Sequence, residues 1–311
     1  LYDLVGAGMW VFVRVRFRVR VLGRVPSVGP GQLWVVTHRA ETDVPLIGGL
    51  LWARGGMWRR TSASRVHFAA RDDLFTPGAV SAGLRLPRAI ARLAWPLSPG
   101  PWLPRVRAHP VRRPTGCKLV QLLADLPRDV ALDQVVVPEV VARFVARADA
   151  IGRPPPQTVG QARDPVFARV LWSDITDGDV IVPTGRAAWQ THITATARDL
   201  RELIALVQAG EPLVVFPEGR VSPDGSLGTI GRLLEVLVRR GHVQQVIPVA
   251  FAYDPLAGRR CSVAVVVGQP IVTPDGQVTA ATREAFRRSM PVTPGQVVAR
   301  HVAPGGPVPH E

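Results

Sequence analysis

From residue 198 onward the chain alternates helical and extended patterning, and that rhythm restricts the fold more than any other feature. Residues 198–209 place Leu200, Leu203, Ile204 and Val207 on one helical face, and Gly210 stops the helix. The apolar strand Leu213 to Phe216 follows at once. Ile230, Leu233, Leu234 and Leu237 then form a second helical face ended by Gly241, and two more apolar strands run from Val246 to Ala252 and from Ser262 to Val267. The first third has the same character: a strand at Leu33 to Val36, helical spacing from Asp43 to Trp52, a strand at Val66 to Ala70, an irregular helix over 76–95 and a short extended piece at His109 to Val111. Strands alternating with helices give an α/β fold whose central, mostly parallel sheet is flanked by helices.

Two stretches break the rhythm. Residues 114–195 contain Pro154-Pro155-Pro156 and no strand–helix alternation, so they read as an insertion outside the sheet, a lid or membrane-facing cap with Trp172 and Trp189 as its apolar material. Residues 291–311 are rich in Pro and Gly and read as a disordered tail. The beginning is different again. Residues 1–12 are apolar. Then Val13, Val15, Phe17, Val19 and Val21 alternate with Arg14, Arg16, Arg18 and Arg20, which predicts a strand with one apolar and one cationic face. Such a strand suits either a charged sheet edge that resists aggregation or a docking surface for anionic lipid. The domain organisation expected is therefore an N-terminal membrane-associating segment over 1–29, one α/β domain over 30–290 that carries the 114–195 insertion, and the tail.

Charge narrows the partners. The 38 Lys and Arg against 24 Asp and Glu give a formal charge of +14, which favours anionic partners. Of those cations only Lys118 is a lysine, a bias that reflects base composition of the gene more than nucleic-acid recognition, and no nucleic-acid-binding pattern is present. Two cysteines, Cys117 and Cys261, cannot build a disulfide framework or a four-cysteine zinc site. The seven histidines show no metal-ligand spacing, so no metal is expected. No apolar run approaches the ~18 residues of a membrane-spanning helix. The phosphate-binding glycine motifs are missing, and the segment 79–83 lacks the first glycine and the preceding strand of a hydrolase nucleophile elbow.

One constellation remains. The strand Leu33 to Val36 delivers Thr37-His38-Arg39-Ala40-Glu41-Thr42-Asp43 at its C-terminal end, just before a helix, where sites of α/β sheets collect. His38 on that loop can serve as a general base. Asp43, five residues on, can fold back to the second ring nitrogen, fixing the tautomer and stabilising the imidazolium. Asp43 is also a good helix cap, which needs no catalysis. A second strand end carries Phe216-Pro217-Glu218-Gly219-Arg220, a turn-shaped loop with a carboxylate and a guanidinium suited to a polar, anionic group or simply to solvent.

Together these segments resemble the glycerolipid acyltransferases of the 1-acylglycerol-3-phosphate acyltransferase type. HRAETD at 38–43 is similar to the family's HxxxxD motif and FPEG at 216–219 to its third motif. VHFAARDDLF at 66–75 resembles the strand and turn after the first motif, HPVRR at 109–113 the second motif, with Arg113 at the arginine position, and VIPVAF at 246–251 the fourth. The likeness covers roughly 30–113 and 196–275. It implies transfer of a fatty acyl group from acyl-CoA or acyl carrier protein, as co-substrate and without a further cofactor, to a hydroxyl of lysophosphatidic acid or a related lysolipid in phospholipid synthesis. His38 and Asp43 would be catalytic, Arg113 would hold the acceptor phosphate, and Glu218 and Gly219 would shape the acceptor site. It also implies a peripheral protein on an anionic, cytoplasmic membrane face. Thr37 stands where many members have Asn, and Arg220-Val221 where they have Thr-Arg, so Arg220 is expected to make the displaced phosphate contact or to point to solvent. An acyltransferase acting on another lysolipid, an amino lipid or a glycolipid, and a catalytically silent lipid-binding relative, stay open as alternatives.

Overall fold

The computed structural model describes residues 1–54, 65–76, 100–181, 183–222, 226–256, 258–272 and 277–302. The helix expected over 76–95 and the segment 79–83 fall outside these residues, apart from Thr76. The strands in chain order are β1 (Phe17–Leu22), β2 (Gln32–Val36), β3 (His67–Arg71), β4 (Ala108–Val111), β5 (Cys117–Lys118), β6 (Asp174–Ile175), β7 (Leu213–Val215), β8 (Gln245–Asp254) and β9 (Cys261–Val267). The longer helices are α1 (Tyr2–Arg16), α2 (Asp43–Arg54), α3 (Pro138–Asp149), α4 (Thr184–Gln208), α5 (Leu233–Gly241), α6 (Val278–Ser289) and α7 (Pro294–Val302). The chain divides into two compact units, Leu1–Ala69 with Leu203–Glu311, and Ala70–Glu202.

The first unit is a mixed α/β structure on a mostly parallel sheet flanked by helices. Six of the sheet's seven strands run in the order β1-β9-β8-β2-β7-β3, and the seventh, β4, lies in the second unit's stretch of chain. β2 pairs in parallel with β8 on one side and β7 on the other, Val36 opposite Val249 and Leu33 opposite Leu213. Those connections are long enough for crossovers. β8 and β9 pair antiparallel, because the link between Asp254 and Cys261 is too short for a crossover. Leu33, Trp34, Val35 and Val36 are all fully buried, as a strand covered on both faces requires. Trp34 and Val36 meet Ile247, Val249 and Phe251 of β8 and Leu46 and Ile47 of α2 in one core.

The N-terminal expectation needs a correction. Residues 13–16 are helical, and the strand begins only at Phe17. Val13 is fully buried in the first unit's core while Val15 is 66% exposed, so two valines that a strand would place side by side lie on different helical faces. α1 packs on α2 through glycines: a Cβ on Gly6 would sit 2.1 Å from the Trp52 ring, and one on Gly49 3.0 Å from the Trp10 amide nitrogen. That close crossing favours helix over the alternation that Val13, Val15 and their arginines suggest. From Phe17 the alternation holds. β1 pairs in parallel with β9 at the sheet's edge, with Phe17 buried and Arg18 and Arg20 exposed.

The second unit has its own core, in which Leu123, Val136, Val140, Phe144, Leu171 and Trp189 are buried together. Phe144 and Phe167 meet edge to face at 5.5 Å. Over 114–195 the described residues hold no strand of the seven-stranded sheet; β5 and β6 pair only with each other. The unit is wider than the expected insertion, since it begins at Ala70 and ends at Glu202. Cys117 lies in this core, and burial pushes its thiol up to about 12. At the other end of the chain, Pro294–Val302 is helical, which corrects the expectation of a structureless tail from residue 291. The Gln296 side chain caps Thr293 N at 2.9 Å, and Asp254 receives the Gly295 amide, so the start of α7 is tied down.

Candidate active site

The sheet order decides which side chains can meet at the end of β2. Its neighbours β7 and β8 run parallel to it, so all three deliver their C-terminal ends to the same edge. β2 supplies His38 and Asp43, β7 supplies Glu218, and β8 supplies Tyr253. The Thr37 amide donates to Val249 O at 3.0 Å, and its hydroxyl accepts from the Phe251 amide at 3.0 Å, so the strand pairing continues past Val36 and fixes the start of the loop.

His38 and Asp43 form the expected pair. The ring nitrogen Nδ1 lies 3.1 Å from Asp43 Oδ2, with both residues buried, Asp43 completely. An ionised carboxylate can only accept, so Nδ1 carries the proton and Nε2 presents its lone pair. The same Oδ2 accepts the amides of Arg39 at 2.5 Å and Ala40 at 2.8 Å. Asp43 thus turns the 38–43 loop back on itself at the start of α2; the amides on its side chain come from the loop before the helix, not from the helix's first turn. Phe216 covers the imidazole with ring centroids 4.7 Å apart.

Glu218 is fully engaged. Its Oε1 accepts the His38 amide at 3.0 Å, and its Oε2 accepts the Gly228 amide at 2.7 Å and Arg39 Nη1 at 3.4 Å. A Cβ at position 228 would come 2.8 Å from Glu218 Oε2, so a larger residue there would push the carboxylate from its place. The Ser222 amide donates to His38 O at 2.9 Å. Glu218 therefore shapes the site by sewing the second loop to the histidine loop. Gly219 sits at φ +65, in the left-handed region that glycine enters without strain. Arg220 is exposed and makes no hydrogen bond or ion pair among the described residues. Arg113 lies in the second unit, 48% exposed at its side chain, with Nη2 3.4 Å from Asp174 Oδ1. Its neighbour Arg112 grips both oxygens of Asp199, at 2.8 and 2.7 Å.

Two residues escaped the sequence reading. Arg39 is buried between the two loops, donating to Ser226 O at 2.5 Å and reaching Met290 Sδ at 3.1 Å. Tyr253 Oη lies 2.5 Å from Asp43 Oδ1 and 3.0 Å from Thr42 Oγ1. Burial, and then the Asp43 charge, push the Tyr253 hydroxyl far above its ordinary value, so it stays protonated and donates. The alternation of Val249, Phe251 and Tyr253 along β8 was the available signal, since it puts the tyrosine on the same face as two core residues. Among the described residues no group of three or more His, Cys, Asp or Glu could hold a metal ion.

No family model matches the chain, and neither does any curated protein. Among solved structures, the 1-acyl-sn-glycerophosphate (LPA) acyltransferase PlsC from Thermotoga maritima is similar at 15% identity, over 92% of this chain and 76% of that one, with a TM-score of 0.44. A likeness of that degree carries no inference about activity.

Proposed function

We propose that the protein is an acyltransferase that moves a fatty acyl group from acyl-CoA or acyl carrier protein to a hydroxyl of 1-acylglycerol-3-phosphate. The observation that carries this reading is the buried His38–Asp43 pair, held from behind by Glu218, at the end of a central parallel strand. A base so placed needs no nucleophile of its own. Nε2 takes the proton of the acceptor hydroxyl as its oxygen attacks the thioester carbonyl. The Asp43 carboxylate stabilises the imidazolium that forms. Collapse of the tetrahedral adduct breaks the C–S bond, and the imidazolium returns its proton to the leaving thiolate. The products are an ester and a free thiol, and His38 regains its starting state.

Arg220 and Arg113 are the proposed phosphate ligands. A guanidinium offers a fork of donors that matches phosphate oxygens, and Arg220 stands free on the loop that Glu218 anchors. The apolar outer side of α1, where Leu4, Val11 and Val15 are at least 60% exposed, together with Arg18 and Arg20 of β1, is proposed to dock on an anionic membrane surface. Among the described residues no helix is long and apolar enough to cross a membrane.

The test is to incubate the purified protein with acyl-CoA, or acylated carrier protein, and a panel of lysophospholipids, amino lipids and glycolipids, and to read products by mass spectrometry. A new ester of 1-acylglycerol-3-phosphate that needs His38 supports the reading. Product from another acceptor alone corrects the substrate, and bound lipid without any product identifies a silent binding relative.

A further inference from the structure

We infer that Tyr253 is a positioning residue for the His38–Asp43 pair: its hydroxyl, supplied by Thr42, holds Oδ1 of Asp43 and thereby fixes the plane in which Oδ2 meets the imidazole. The functional consequence rests on the acyl-transfer reading, whereas the geometry does not.

The two oxygens of Asp43 are served unequally. Oδ2 receives three donors, all from its own loop: His38 Nδ1 and the amides of Arg39 and Ala40. Oδ1 receives Tyr253 Oη at 2.5 Å, from a strand 210 residues further on. The terminal torsion of an aspartate is broad, and three donors from one loop hold it through a single oxygen. A donor on the second oxygen, from a distant strand, narrows the same rotation from the opposite side. The direction of each hydrogen bond follows from proton counting. The ionised carboxylate can only accept, so the tyrosine proton points to Asp43, and Tyr253 Oη in turn accepts from Thr42 Oγ1 at 3.0 Å. The chain therefore runs from Thr42 through Tyr253 to Asp43, meeting the one from His38 at the same carboxylate.

Nothing in this arrangement is loose. Phe17 of β1 stands edge-on to the Tyr253 ring with centroids 5.9 Å apart. The Phe251 amide, two residues before Tyr253, is bonded to the Thr37 side chain. The carboxylate is fully buried, so no water replaces a missing donor from outside. A buried tyrosine satisfied by whichever acceptor is nearest would account for the bond alone. It would not require the relay from Thr42, which lies beside Asp43 in sequence and ties both ends of the chain to one loop.

Loss of the hydroxyl takes from Oδ1 of the buried Asp43 the donor that Tyr253 supplies. The other groups around the pair are Glu218, which holds the His38 amide, Arg39, and Cys261 of β9 beside Tyr253. All of them are unchanged in Tyr253→Phe, which removes one oxygen and keeps the ring.

The experiment uses the full chain with nitrogen-15 labelled histidine and follows the His38 ring signals against pH, without substrate. They are assigned by their loss in His38→Gln. The wild type should show one tautomer, protonated at Nδ1. Tyr253→Phe should shift and broaden the Nδ1 and Nδ1–H signals, because the carboxylate that receives that proton has lost its second holder. Acyl transfer by the same variant should show kcat lowered roughly tenfold and both KM values within about twofold. Unchanged ring signals in Tyr253→Phe overturn the inference, whatever the activity. Shifted ring signals in a wild-type protein background that transfers no acyl group overturn only the acyl-transfer reading. If Tyr253→Phe fails to fold, Thr42→Val removes the donor to Tyr253 and must disturb the same His38 ring signals; unchanged signals there overturn the inference as well.

Discussion

At the scale of single residues, the site is a set of donors and acceptors whose count leaves little freedom. His38→Ala removes the base held by Asp43 and is expected to lower turnover by about 10²–10⁴-fold while the far-ultraviolet circular dichroism stays unchanged. Activity within about threefold of wild type would remove His38 from the mechanism. Asp43→Asn is subtler. The amide can offer its oxygen to the three donors now on Oδ2, but its NH2 then faces the Tyr253 hydroxyl, which must turn its proton away. The expected result is a large loss of kcat with little change in the acyl-donor KM, checked by steady-state kinetics on both substrates. For the exposed Arg220, Arg220→Ala should raise the acceptor KM at least about tenfold and leave the donor KM alone. An unchanged acceptor KM would put the phosphate elsewhere. The pair His38 and Asp43 was legible in the sequence because both sit on one loop, five residues apart, and a strand end told where that loop would be. Tyr253 and Arg39 were not, because the partners that give them meaning are 210 and 179 residues away. Sequence spacing reports contacts within an element or a turn; it is silent about which two loops a sheet order brings together.

Elements were read well wherever one period dominated. β2, β7, β8 and β9 are short apolar runs with no helical alternative, and α2 begins at the aspartate that closes the histidine loop. The ambiguous case was 13–16, where alternating Val and Arg satisfy a strand while the glycines at 6, 48 and 49 favour a close helix crossing. Those glycines come from two separate segments, so their joint effect shows only once α1 and α2 are seen together. The crossing can be tested on its own. Gly6→Val would drive a side chain into the Trp52 ring and, as overpacking of a tight contact, should weaken the α1–α2 contact by about 1–3 kcal/mol. Hydrogen exchange of the α1 amides should accelerate accordingly, while β8 and β9 keep their protection. Amides of α1 that exchange at the wild-type rate would show that the glycine is not needed there.

For the whole molecule, charge and exposed apolar surface point the same way. The formal charge is +14, and the outer side of α1 carries Leu4, Val11, Phe12 and Val15 in the open. Basic residues near an anionic bilayer contribute about 1 kcal/mol each, and salt screens them. Co-sedimentation with vesicles should therefore rise with the fraction of anionic lipid, fall as salt is added, and drop further in Leu4→Ser/Val11→Ser. Equal sedimentation with neutral and anionic vesicles would sink the docking proposal. The central position of β2 has a consequence in time as well as in space. Both of its neighbours, β7 and β8, lie after the whole second unit in the chain. At roughly 5–20 residues per second, synthesis takes on the order of 10–40 s to pass from His38 to Tyr253. Through that interval the apolar run Leu33 to Val36 has emerged with neither native neighbour available. The newborn chain must be sheltered until its last third arrives, and a ribosome that stalls within the second unit leaves an adhesive fragment.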